Sequence, residues 1–137
     1  VKSRWDGAEL SSIVNQELAP YLGEDKTRAQ IDGPHVLLGT NQAHAMAITL
    51  HELATNAAKY GPLSVPEGHL CVRWSSAADG QLTLYWTESG GPPTKDPARE
   101  GFGMSIIKRM IEEEGEIHLD WRAEGLACEI VFQTSKR

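Results

Sequence analysis

Glu52, Asn56 and Lys59 follow one another at intervals of four and three residues in HELATNAAKYG, a spacing that sets them along one stripe of a helix. A carboxylate and a carboxamide oxygen one turn apart are hard ligands suited to Mg²⁺, which keeps several waters and binds mainly through substrate phosphates. Lys59, one turn further, could then meet phosphate oxygens, with Tyr60 at the edge of the stripe. Two readings stand: this polyanion site, or a solvated face on which Glu52 and Lys59 serve only solubility. Asn56 favours the first, because Asn is a mediocre helix former that competes with its own backbone, yet it sits among apolar residues in ATNAA. His51-Glu52 begins like an HExxH zinc motif, but the fifth position is Thr55, so no catalytic zinc is expected. His51 is left either as a packed helix residue or as a site residue.

Glu88 closes the run LTLYWTE and is followed by SGGPP. A carboxylate there can accept a hydrogen bond from an amino group, and Gly90 and Gly91 let a ligand approach the backbone. GFGM at 101–104 opens a helix, where free backbone amides and the helix dipole favour phosphate oxygens. Gly101 and Gly103 complete neither GxGxxG, since Ile106 holds the last place, nor a Walker loop, since no GKS or GKT follows. The order of the pieces carries more than any one of them.

These groups need elements to hold them. DGAELSSIVNQELAPY predicts a helix capped by Asp6 with Glu9 three residues on, and ended by Pro20. Thr27 to Leu38 reads as one or two strands about Gly33-Pro34, and Asn41 to Tyr60 as a long helix stopped by Gly61-Pro62. Leu70, Val72 and Trp74 alternate, as do Leu82, Leu84 and Trp86, around an Asp79-Gly80 turn, which predicts a hairpin. Residues 90–101 read as a loop. Gly103 opens a helix that stops at Gly115, and Ile117–Trp121 with Leu126–Phe132 predict a second hairpin. The sum is an α+β, two-layer α/β sandwich: a mostly antiparallel mixed sheet covered on one face by about three helices.

The chain has 137 residues, 40% hydrophobic, with 13 Lys+Arg against 19 Asp+Glu. One domain over 1–137 is expected, with a core large enough to need no metal or disulfide staple. The net charge of −6 runs against nucleic-acid binding and requires local neutralisation for any polyanionic ligand. Cys71 and Cys128 lack CxxC spacing, which fits a reducing cytoplasm. No apolar run is long enough to span a membrane, and no membrane contact is expected from this segment.

HELATNAAKYG, ESGGP and GFGMSII, in this order, resemble the N box and the two glycine boxes of the catalytic ATP-binding domain of sensor histidine kinases, in the superfamily that also holds the gyrase B subunit. His51 before the N-box Glu, with Trp86-Thr87-Glu88 as W-x-E, resembles the HWE histidine kinases. RWDGAEL and ELAPY are similar to that subfamily's segment between phosphoacceptor helices and catalytic domain, so residues 1–8 are expected to end a linker. The resemblance covers nearly all of the chain.

The resemblance implies a Bergerat-type fold and binding of ATP with Mg²⁺. It makes Asn56 the metal ligand, places Glu52 beside the metal and its water, and sets Lys59 on phosphate. Tyr60 would lie near adenine or ribose, Glu88 would receive the adenine amino group, and Gly90, Gly91, Gly101, Phe102 and Gly103 would surround the nucleotide. Residues 92–100 would form a short lid without an F box. None of His35, His44, His51, His69 or His118 has the phosphoacceptor context H-R-x-K-N, so a separate helical dimerisation domain would carry that histidine and a response regulator would act downstream. The isolated domain is expected to be monomeric. The alternatives are a serine/threonine kinase of the anti-sigma-factor type, or a module that binds partners without nucleotide.

Overall fold

The computed structural model describes residues 7–23, 25–92 and 101–134. Strand β1 (Gly7–Glu9) runs directly into helix α1 (Leu10–Leu22). Short strands β2 (Ala29–Asp32) and β3 (Leu37–Gly39) precede the long helix α2 (Thr40–Lys59). The hairpin β4 (His69–Ser76) and β5 (Gln81–Ser89), helix α3 (Gly101–Glu114), and the hairpin β6 (Gly115–Arg122) and β7 (Gly125–Gln133) complete the chain. Five strands form one sheet in the order β2-β4-β5-β7-β6, parallel only between β2 and β4. The α+β sandwich anticipated from the patterning is therefore the observed architecture.

Period-2 alternation explains the layers. Leu70, Val72 and Trp74 on β4, Leu82, Leu84 and Trp86 on β5, and Leu126, Cys128, Ile130 and Phe132 on β7 are all buried, because successive strand residues face opposite sides. They form one core with α1, α2 and α3, and α2 packs against both other helices. The outer face carries the intervening polar residues. One register row there runs Asp32, Arg73, Tyr85, Glu129, His118 across all five strands.

Three expectations are corrected. Gly7–Glu9 pair antiparallel with β3 as a separate two-stranded sheet, which holds the chain extended and delays α1 to Leu10. The cap is Glu9 itself, whose carboxylate accepts from Ser11 N at 3.3 Å and Ser12 N at 3.2 Å; Asp6 lies outside the described residues. Pro20 does not end α1 but sits inside its last turn, with Gly23 at φ 58° as the stop, since a proline so near the end forfeits only one helical hydrogen bond. Helix α3 starts at Gly101 rather than Gly103, so GFG is its first turn, where amides need no helical partner.

The Glu9 cap has a pH signature. Chiefly the Ser11 hydroxyl holds its carboxyl below the ordinary value of 4.5. The unfolded chain thus binds this proton first, so the cap's contribution is complete above about that pH and is lost as pH falls through the lower folded value. Glu9→Ala is expected to cost about 1 kcal/mol at neutral pH. Denaturant titrations should show that difference shrinking in acid.

Candidate functional site

Helix α2 buries Ala45, Met46, Thr49, Leu50, Leu53, Ala54, Asn56 and Ala57. That pattern of adjacent pairs every turn is the broad stripe of a helix enclosed by neighbours on two sides. Asn56 closes it at 7% exposure, and its Nδ2 has no hydrogen-bond partner among the described residues. The solvated-face reading therefore fails for Asn56. Glu52 one turn earlier is half-buried, and Lys59 at the helix end is exposed. Tyr60 is the C-cap, its ring half exposed and its N–H donated to the Asn56 carbonyl at 2.8 Å.

The end of β5 supplies the second part. Glu88 is 2% exposed and accepts the Trp86 indole N–H at 3.1 Å. Beyond it, Gly90 adopts φ 75°, a left-handed conformation that favours glycine. A Cβ on Gly91 would stand 2.7 Å from both N and Cα of Pro62, and one on Gly90 2.7 Å from the Glu67 carbonyl oxygen. The glycine pair thus seats against the turn that follows α2, bringing the strand end to the C-terminal end of the helix. Arg28 fixes that turn from the other side, donating from Nη2 to the carbonyls of Pro62 and Val65 at 2.9 and 2.5 Å.

Named proteins resemble this chain in sequence and fold. A blue-light-activated histidine kinase of Erythrobacter litoralis (strain HTCC2594) is 37% identical over 131 residues, which is 93% of this chain and 36% of that protein. One from Brucella ovis is 32% identical over 136 residues, 96% of this chain and 28% of that protein. The fold matches the mycobacterial sensor histidine kinase MprB with a TM-score of 0.71 at 17% identity, covering 95% of this chain and 99% of the other. The chain is a homologue of histidine kinases over nearly its whole length and has the fold of their catalytic domains. No protein-family model matches it. The chain spans about a third or less of the two curated relatives, 36% and 28% of their lengths.

His51 turns away from the core: it is exposed, with Nδ1 3.1 Å from Glu17 Oε1 on α1. One turn on, Tyr21 and Thr55 hydroxyls lie 3.4 Å apart. His51 is thus a helix–helix contact in this arrangement. Trp86 is a core residue with a polar task. Gly101, Phe102 and Gly103 belong to the first turn of α3, which packs along α2, while lid residues 93–100 lie outside the described residues. Sequence reasoning missed Arg28, because nothing local in KTR announces carbonyls more than thirty residues away. It also missed Gly125, where a Cβ would stand 2.4 Å from the Glu88 carbonyl oxygen. A cavity of about 390 Å³ opens away from these residues, on the outer sheet face among Tyr85, His118, Arg122 and Glu129.

Cys128 pairs in register with Trp86. Burial first, then the Glu88 and Glu129 carboxylates, push its thiol up to about 12. Only a thiolate alkylates readily, so iodoacetamide at pH 8 should label the half-exposed Cys71 in the folded domain and Cys128 only after unfolding in urea. Mass spectrometry of the peptides reads the outcome.

Proposed function

We propose that the chain binds Mg²⁺-ATP between the C-terminal end of α2, the end of β5 and the start of α3, and serves transfer of the γ-phosphate to a histidine on a separate helical dimerisation domain, in cytoplasmic two-component signalling. A response regulator would then receive the phosphoryl group. The observation that carries the reading is the buried Asn56 carboxamide. Leaving such a group unsatisfied costs on the order of 1–3 kcal/mol, which a ligand would offset. Its oxygen suits a hard cation and its NH₂ a phosphate. By the motif resemblance Glu52 would stand beside it, a reading that its half-buried position supports.

The residues divide the work by their chemistry. Glu88 accepts the exocyclic amino group of adenine, and Tyr60 offers an exposed ring for the base or ribose. The amides of Gly101, Phe102 and Gly103, in a helical first turn, donate to phosphate oxygens, and Lys59 adds a positive charge. Gly90 and Gly91 hold the strand end against the 61–68 turn so that these groups share one site. Mg²⁺, when bound, would neutralise phosphate charge and orient the transferring group. Catalysis is then mainly positioning and charge stabilisation. The named relatives, all histidine kinases, favour histidine over serine or threonine as the acceptor.

With a net charge of −6, affinity for the polyanion should depend strongly on the metal. Calorimetric titration with ATP is expected to weaken at least about tenfold when Mg²⁺ is withheld. In Asn56→Ala the metal dependence should vanish while stability falls by no more than about 1 kcal/mol, since the mutation also removes an unsatisfied buried group. Unchanged, metal-dependent binding in Asn56→Ala would contradict the assignment.

A further inference from the structure

The W-x-E spacing puts Trp86 and Glu88 on the same inward face of β5, the central strand of the sheet. Both side chains are buried, and the indole Nε1–H is donated to Glu88 Oε2 at 3.1 Å. Each group makes the other tenable. A fully enclosed indole N–H requires an acceptor, and a carboxylate removed from water requires donors. Across the sheet, Trp86 faces Val72 on one side and Cys128 on the other, and Glu88 faces Leu70. Packing in that setting needs only an apolar ring; the indole adds a donor aimed at the carboxylate.

We infer that Trp86 is a positioning residue for purine recognition: its indole N–H fixes the Glu88 carboxylate in the orientation from which it accepts the 6-amino group of an adenine nucleotide. The inference rests on the role proposed above for Glu88. A Glu side chain free to rotate would carry the same charge in scattered directions, and ordering it only on binding would subtract from affinity. Locked beforehand by a neighbour that itself cannot move, it is set for a donor at one place. A 6-oxo purine presents an acceptor there instead, leaving two oxygens facing each other, which is how a buried polar group discriminates. Trp86 need not touch the nucleotide.

The test titrates the chain with Mg²⁺-ATP and Mg²⁺-ITP in wild type, Trp86→Phe, Glu88→Ala and the double variant. Trp86→Phe should lose about tenfold of the preference for ATP, with ITP affinity unchanged, and the double variant should lose no more than Glu88→Ala alone. If Glu88→Ala abolishes the preference but Trp86→Phe retains it, the inference is overturned and the role of Glu88 stands. If Glu88→Ala itself retains the preference, the role of Glu88 fails and the inference with it. Should Trp86→Phe not fold, ¹⁵N-labelled wild type and Glu88→Gln decide by the tryptophan indole signals. A slowly exchanging indole N–H that shifts in Glu88→Gln and on adding Mg²⁺-ATP supports the inference; indole signals indifferent to both overturn it.

Discussion

A carboxylate held inside the core at the end of the central strand constrains everything around it. Glu88 is buried where desolvation of a charge is severe unless donors surround it, and the Trp86 indole is one such donor. The charge reaches the next strand, where it adds to burial in keeping the Cys128 thiol protonated. Backbone is crowded at this strand end as well: β7 must begin with a residue lacking a side chain, because a Cβ on Gly125 would meet the Glu88 carbonyl oxygen. A strand end so occupied is far from the cheapest way to finish a core.

The same constraint links the sheet to α2. Gly90 and Gly91 pack on the turn after the helix, and Arg28 ties that turn to the edge of β2 through two carbonyls. Asn56 is thus delivered, buried and with an unsatisfied amide nitrogen, to the neighbourhood of the strand end. Asn56 and Glu88, two of the three buried polar residues among those described, with Thr49 the third, oppose stability, and such local violations of good packing are expected where a structure serves a ligand. The apolar remainder of α2, from Ala45 to Ala57, carries the stability that tolerates them.

Much of this was legible in the residues. The alternation in β4, β5 and β7 announced both hairpins and their inward faces, since a period of two leaves little choice once one face is apolar. The long helix was equally clear from its Ala and Leu spacing and the Gly61-Pro62 stop. What escaped was set by distant pairing. No local signal says that Gly7–Glu9 will find Leu37–Gly39, and that pairing moved the start of α1 from the Asp6 cap to Glu9. Pro20 was overread as a terminator because its cost inside a final turn is small. In the site, the types and spacing of Glu52, Asn56, Glu88 and the glycines stood out, whereas the burial of Asn56, the lock on Glu88 and the brace from Arg28 are products of tertiary contact. The glycines also gained a meaning that spacing alone did not give: the first pair is required by backbone packing, whatever ligand approaches it.

The proposed nucleotide site joins the end of β5 to the end of α2 and the start of α3. A crystal structure of the chain with Mg²⁺ and a non-hydrolysable ATP analogue would decide it. The adenine amino group is expected on the Glu88 carboxylate, the metal on Asn56, and phosphate oxygens on the amides of Gly101–Gly103. An analogue ordered elsewhere, for instance over Tyr85 and Arg122 on the outer face of the sheet, with Glu88 and Asn56 untouched, would contradict it.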